Sequence, residues 1–122
     1  MTTIMRLKGG VPILMPYGKL IGVAASQFRE KLISQMDASD MSGILIDFKR
    51  VNKIDSSGLG TLVEAYIIAR QKKGRIGVIN VGMNIKSLII RTRLINIFEH
   101  FDNEDIAVAI LSNRVNLHEQ DR

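Results

Sequence analysis

The sequence predicts an α/β domain built on a mixed β-sheet of about four to five strands with about four helices. Short apolar runs alternate along the chain with longer segments of helical periodicity, and two apolar runs near the start flank the turn Lys8-Gly9-Gly10. Helical crossovers produce parallel strands, whereas the opening hairpin adds an antiparallel pair, so the sheet should be mixed. The 122 residues, 46% of them hydrophobic, can bury one sizeable core, and we expect a single domain.

The first half of the chain should contain three strands and one helix. Pro12 and Pro16 place the hairpin near an edge of the sheet, because proline cannot donate to a strand ladder. Helical spacing brings Ala25, Phe28 and Leu32 to one face of the predicted helix. The charged residues 49–53 should form a solvated loop. We expect strands over residues 3–7, 11–17 and 44–48, and a helix over 23–36.

The second half should begin with a helix that starts near Ser56 or Ser57 and ends at Lys72-Lys73-Gly74-Arg75, where cations and a glycine suit a helix C-terminus. Its apolar face consists of Leu59, Leu62, Val63, Tyr66 and Ile67. We expect the remaining elements to be a strand over residues 76–81, a short helix over 84–91, a strand over 95–101 and a helix that starts within 102–105 and runs to 111. We assign residues 1–111 to the domain and 112–122 to a polar C-terminal tail.

The junction Asp55-Ser56-Ser57-Gly58-Leu59-Gly60 is the most informative segment. Asp55 can cap the helix by accepting from a free N–H of the first turn, an interaction typically worth about 1 kcal/mol, and plain capping is one reading of it. Ser56 and Ser57 fall in that first turn, where the helix dipole favours negative charge. A phosphoserine would add roughly −1.5 to −2 charge there without unfolding the helix.

The two glycines of this junction destabilise a helix interior by roughly 1 kcal/mol each relative to alanine. Gly58 and Gly60 therefore indicate a close approach of backbone or of a partner, and we expect a bare surface at this turn.

These residues resemble the phosphorylation-site motif of the STAS domains, and in particular of the bacterial anti-sigma factor antagonists; the resemblance extends from about Thr3 to Leu111. It implies that Ser56 is phosphorylated by an anti-sigma factor with serine kinase activity, with Asp55 and Ser57 as supporting neighbours. One departure concerns Gly18-Lys19-Leu20-Ile21, because sporulation-type antagonists often have Gly-Glu-Leu-Asp there. The resemblance also implies a partner surface; our candidates for it are Gly58, Leu59, Gly60, Met83 and Ile85.

The implied function is a cytoplasmic, non-enzymatic binding module. Unmodified at Ser56, it sequesters the anti-sigma factor and releases a sigma factor, and phosphorylation abolishes the binding until a phosphoserine phosphatase reverses it. We expect at most a weak homodimer. The alternative is a structural STAS subunit of a signalling scaffold or lipid-transport complex without a phosphorylation switch.

Charge leaves a further alternative open, since 17 Lys and Arg residues against 12 Asp and Glu residues could favour nucleic acid or an anionic membrane surface. Aromatic residues make up only 5% of the chain, which offers little stacking surface, so we expect no nucleic-acid partner. Lys49, Arg50 and Lys53, here called the basic rim, precede the junction and could select an acidic partner protein, or could simply be solvated loop residues.

Other chemistries have little support. Ser56 or Ser57 would need His100 or His118 as a base for hydrolysis, and no nucleophile elbow is present. No phosphate loop, calcium loop or cysteine occurs, so we expect no cofactor, no metal and no catalytic residues. The N-terminal segment Met1-Thr2-Thr3-Ile4-Met5-Arg6 lacks the apolar region of a signal peptide, and no apolar run approaches about 18 residues, so we expect neither a signal peptide nor membrane insertion.

Overall fold

The computed structural model describes residues 2–38 and 43–112. A five-stranded sheet and a two-stranded sheet carry four α-helices and one short 3-10 helix. In chain order the elements are β1 (Thr3–Lys8), β2 (Val11–Pro16), β3 (Gly18–Leu20), α1 (Gly22–Ala38), β4 (Gly43–Asp47), β5 (Val51–Ile54), α2 (Ser56–Gln71), β6 (Arg75–Ile79), α3 (Met83–Arg91), a 3-10 helix (Ile95–Ile97), β7 (Glu99–His100) and α4 (Glu104–Leu111).

The larger sheet has the strand order β1-β2-β4-β6-β7. Strands β1 and β2 form the antiparallel hairpin, and each remaining neighbour in this sheet pairs in parallel. The predicted mixed sheet and the predicted number of helices are therefore confirmed. The parallel part follows from the helical crossovers, which return each strand to the same end of the sheet.

Helices α1, α2 and α3 cover one face of this sheet, and α4 packs on the other. On the first face Phe28 and Leu62 are buried with Ile46 of β4. On the second face Leu45, the neighbour of Ile46, is buried with Leu111 of α4. Because successive side chains of a strand point to opposite faces, a strand covered on both sides must be apolar throughout. This is why β4 was recognisable as a continuous apolar run.

The expectation of a solvated loop over residues 49–53 was wrong. Only Lys49 and Arg50 form a turn, and Val51–Ile54 is strand β5, which pairs in parallel with β3. Strand β3 itself was not predicted. Both strands are short, and β5 buries only its two ends, Val51 and Ile54, while the residues between them are exposed. That pattern lacks the alternation by which strands are recognised.

The expectation of one strand over residues 95–101 was also wrong. The structure has a 3-10 helix at Ile95–Ile97 and only a two-residue strand, β7, on the edge of the large sheet. Phe98 lies between them and is buried in the core. The apolar residues of this segment therefore fill the space beside α3 without extending the sheet.

Ion pairs attach α4 to the edge strand β1, and we expect them to make stability depend on pH. Arg6 and Lys8 of β1 both contact Glu104, and Lys8 Nζ lies 2.6 Å from Oδ1 of Asp105. The hydrogen bond from Arg6, reinforced by Lys8, lowers the pKa of Glu104 to about 2. A carboxylate whose pKa is depressed in the folded state stabilises that state above its unfolded pKa, and this stabilisation is lost as the pH falls toward the folded value.

Glu104→Gln should therefore reduce the loss of stability between about pH 4.5 and pH 2 relative to the wild-type chain. Urea unfolding at a series of pH values, followed by circular dichroism, measures this. Glu30→Gln on α1, whose carboxylate forms no ion pair among the described residues, is the matched control. Parallel curves for wild type and Glu104→Gln would contradict the expectation.

Candidate partner-binding site around Ser56

Asp55 caps helix α2, as predicted. Its backbone is extended, with φ −113° and ψ −170°, and its carboxylate Oδ1 accepts from the backbone N–H of Gly58 at 3.0 Å. The carbonyl of Asp55 accepts from the N–H of Leu59 at 3.0 Å, which closes the first helical turn. The carboxylate is thus engaged by the helix itself, and it fixes the position of the two residues that follow.

Ser56 and Ser57 are the first two residues of α2, and both are exposed. Their backbone N–H groups have no acceptor within the helix, as is general for a first turn, and no acidic side chain lies in that turn. The carbonyl of Ser57 accepts from Oγ1 of Thr61 at 3.1 Å. The Ser56 hydroxyl therefore stands at an accessible helix N-terminus that can accommodate added negative charge.

The two glycines of the junction have different roles. Gly58 is buried, and a Cβ there would lie 2.5 Å from Cγ1 of Ile54 and 2.7 Å from the carbonyl oxygen of Leu20. At Gly60 a Cβ would meet no atom within 4 Å, and the residue is exposed. The bare surface expected at both glycines is therefore found at Gly60 alone. Gly58 lets α2 pack against the ends of β3 and β5. Leu59, which lies between the two glycines in the sequence, is also buried.

Helix α3 begins beside this turn. Nδ2 of Asn84 donates to the carbonyl of Asn52 in β5 at 2.9 Å, which holds the start of α3 against the strand that leads into Asp55. Met83 is 78% exposed, whereas Ile85 is 1% exposed and belongs to the core. We named both as partner contacts from the sequence, but only Met83 presents its side chain to solvent.

The basic rim is exposed on the turn after β4 and on β5. The guanidinium carbon of Arg50 lies 5.8 Å from the ring centroid of Tyr17, within the range of a cation–π contact. Lys53 is the register partner of Lys19 across the parallel pair of β3 and β5. The register of this pair shifts between Gly18 and Lys19, so the two lysines are neighbours at an irregular point of the ladder. Over residues 2–38 and 43–112, neither Lys19 nor any residue of the basic rim forms an ion pair.

Asp47 is a positioning residue that the sequence analysis missed. It is 5% exposed, and its Oδ1 accepts from the backbone N–H of Lys49 and from Nδ2 of Asn80, each at 2.9 Å. Asn80 has a positive φ of 58°, which turns the chain from β6 toward α3. One carboxylate thus joins the turn that carries the basic rim to the loop that precedes α3. The only signal in the sequence is a single acid at the end of an apolar strand.

The residues considered for other chemistries are not assembled around Ser56. The Nε2 atom of His100 lies 3.1 Å from the carbonyl oxygen of Ile95, at the β7 edge of the large sheet. His118 lies outside the described residues. In the part of the chain that the structure describes, no three His, Asp or Glu side chains are placed to share a metal ion. Nor does any helix there have the length and apolar character needed to cross a bilayer.

The fold and this site together define a single α/β domain that presents two exposed serines at the capped start of a helix. The STAS domain model matches residues 3–107, and the chain belongs to the STAS domain family.

Similar proteins carry related names. The chain is 28% identical, over 102 residues, to an anti-sigma F factor antagonist of Paenibacillus polymyxa, with 84% of this chain and 87% of that protein covered. The fold is similar to the crystal structure of an anti-sigma factor antagonist from Mycobacterium paratuberculosis, with a TM-score of 0.80, 22% identity and coverage of 92% and 94%. It is also similar to the Bacillus cell fate determinant SpoIIAA in its phosphorylated form, with a TM-score of 0.70, 17% identity and coverage of 89% and 99%.

Proposed function

We propose that this protein is an anti-sigma factor antagonist, a regulatory binding module without catalytic activity. In this proposal it sequesters, when Ser56 is unmodified, an anti-sigma factor with serine kinase activity and so releases a sigma factor. The observation that carries the proposal is the exposed Ser56 hydroxyl at the capped start of α2, in a STAS domain similar to a protein named for that function.

The switch follows from charge at the interface. The bound kinase transfers the γ-phosphoryl group of ATP to Oγ of Ser56, the hydroxyl proton passes to a base of the kinase, and ADP is released. The phosphoserine carries about −1.5 to −2 charge, which the start of α2 tolerates in the free protein. Buried unpaired in an interface, the same charge would weaken binding by about 3 kcal/mol or more, which is over a hundredfold. A phosphoserine phosphatase restores the binding form by hydrolysing the ester.

The partner surface we propose combines an apolar centre and a basic margin. Gly60 leaves the surface of α2 open just after its first turn, and Met83 offers an exposed apolar side chain at the start of α3. The basic rim and Lys19 lie beside them. Lys19 and Lys53 are neighbouring exposed cations that form no ion pair among the described residues, so we propose that an acidic patch of the partner binds them.

Lys19→Glu tests whether these cations bind an acidic patch of the partner, because it should stabilise the free protein while it weakens binding. Opposite charges across β3 and β5 replace like charges, which should raise the free energy of unfolding by roughly 0.5 kcal/mol. Affinity for an acidic partner should fall by about tenfold and lose part of its salt dependence. Urea unfolding and titration calorimetry at two salt concentrations measure the two effects. Lys73→Glu, at the other end of α2, is the control for affinity alone, since an anion at a helix C-terminus lowers stability by itself. Unchanged affinity with Lys19→Glu would reject the acidic patch.

Phosphosite mapping tests the proposal as a whole. Protein isolated from its native cells, under growth and under stress, is analysed by intact mass and fragmentation beside a Ser56→Ala variant. A phosphate on Ser56 that is missing from the variant supports the switch. A chain that stays unmodified in every condition rejects it.

The second candidate is a structural STAS subunit without a phosphorylation switch. The observation in its favour is Ile21, which stands where sporulation-type antagonists often have an acid close to the modified serine. Co-purification with scaffold or transporter subunits, from cells in which Ser56 stays unmodified, would support this candidate over the switch.

A further inference from the structure

Two loops leave the carboxyl ends of the neighbouring strands β4 and β6. Residues 48–50 follow β4 and lead into β5, and residues 80–82 follow β6 and lead into α3. The N–H of Phe48 donates to the carbonyl of Ile79 at 3.0 Å, and among the described residues no backbone hydrogen bond joins the two loops beyond that point. A fixed arrangement of the loops therefore depends on side chains.

The carboxylate of Asp47 joins these loops through one oxygen atom. Its Oδ1 accepts from the backbone N–H of Lys49 in the first loop and from Nδ2 of Asn80 in the second, each at 2.9 Å. Asp47 is 5% exposed, so water has little access to this acceptor. A buried carboxylate is destabilising without hydrogen bonds. A displacement of either loop would therefore take a donor away from a buried polar group.

The backbone of Asn80 suits this role as well as its amide does. Its φ of 58° lies in the left-handed region, which asparagine tolerates better than most residues. The hydrogen bond to Asp47 thus fixes the side chain of the residue at which the chain turns from β6 toward α3.

A second side-chain amide fixes the other end of this segment. Nδ2 of Asn84, in the first turn of α3, donates to the carbonyl of Asn52 in β5 at 2.9 Å. Met83 lies between Asn80 and Asn84 in the sequence and is 78% exposed. This exposed apolar side chain is therefore carried by a segment that is bonded at both ends to the chain between β4 and α2.

We infer that Asp47 and Asn80 couple the two loops, so that Met83 and the basic rim keep one fixed arrangement. Both are positioning residues, since each acts through the loops that carry the contact residues. A fixed arrangement raises affinity because fewer groups have to be ordered on binding. The contact of Met83 and the basic rim with a partner rests on the proposed function, whereas the coupling of the two loops is a property of the free protein.

Hydrogen exchange of the free protein, followed by NMR at single residues, tests the coupling. Asn80→Gly removes the side-chain amide but keeps the left-handed backbone, which glycine adopts freely. The Asp47 carboxylate then has one donor fewer, and the N–H of Lys49 on the other loop should exchange about tenfold faster. Amides of the central strand β4 should change much less, because they exchange only when the whole domain opens.

Lys73→Gly is the matched control for the backbone change. Lys73 also has a left-handed backbone, with φ 57°, and it precedes β6, at the opposite end of that strand from Asn80. Its replacement should leave the exchange of the Lys49 amide unchanged. An unchanged Lys49 rate in Asn80→Gly, or an equal increase in Lys73→Gly or at the amides of β4, would overturn the coupling, whatever the fate of anti-sigma factor binding.

Binding to the serine-kinase anti-sigma factor tests the consequence for the partner surface. In titration calorimetry Asn80→Gly and Met83→Ala should each lower the affinity by about fivefold. The double variant should lose less than the product of the two, because Asn80 acts in part through Met83. Unchanged affinity in Asn80→Gly, or losses that multiply, would overturn the positioning role. If the wild-type chain binds no such partner, the proposed function fails, and the exchange rates still decide the coupling.

Discussion

Ser56→Asp should weaken binding to the serine-kinase anti-sigma factor by about a hundredfold or more, whereas Ser56→Ala should bind like the unmodified protein. Ser56 is exposed in a turn where its side chain is not needed for capping, since Asp55 accepts the N–H of Gly58. Neither substitution should therefore disturb the fold. The loss of affinity with aspartate arises because its charge is buried against the partner. Alanine removes the hydroxyl that accepts the phosphate and adds no charge.

Titration calorimetry at fixed salt, with the nucleotide-bound kinase in the cell, measures both affinities. Ser34→Asp on α1 is the charge control, because Ser34 is exposed and lines a groove together with Met5 of β1, away from the candidate site. Circular dichroism melts of all variants check that they remain folded. Equal affinities for Ser56→Asp and Ser56→Ala would reject a switch at this residue.

Gly58→Ala should unfold at a temperature lower by several degrees, because the new methyl group has no space. Its Cβ would lie 2.5 Å from Cγ1 of Ile54 and 2.7 Å from the backbone oxygen of Leu20. Two strands would have to move away from α2, and overpacking of this kind destabilises by about 1–3 kcal/mol. The helix propensity of alanine offsets about 1 kcal/mol at most. Thermal unfolding followed by circular dichroism measures the net effect.

Gly60→Ala is the matched control, and it should raise the unfolding temperature that Gly58→Ala lowers. It lies two residues further along the same helix, and its Cβ would meet nothing within 4 Å. The gain in helix propensity should therefore raise stability by up to about 1 kcal/mol. If Gly60 contacts the partner, this stabilised variant should nevertheless bind more weakly. A Gly58→Ala protein as stable as the wild type would contradict the close packing of α2 against β3 and β5.

The features that depend on short-range geometry could be predicted from the sequence. The cap of α2 by Asp55 and the burial of Leu59 and Leu62 follow from bonds and contacts between residues three or four apart. The predicted apolar face was wrong at Ile67, which is 50% exposed, because the buried side of α2 continues through Ala65 and Ala69. Strand β4 was recognisable because burial on both faces requires a continuous apolar run. Those elements in order, together with the hairpin, were sufficient to predict the mixed α/β sheet.

The surfaces that these elements present to solvent follow only from how they pack together. Gly58 and Gly60 look alike in the sequence, but only Gly58 meets β3 and β5, and Met83 is exposed while Ile85 two residues later is buried. The pairing of Lys19 with Lys53 depends on strand register, and the position of β1 at the edge of the large sheet depends on strand order. Register is set by contacts between residues far apart in the chain, whose partners a local pattern does not encode.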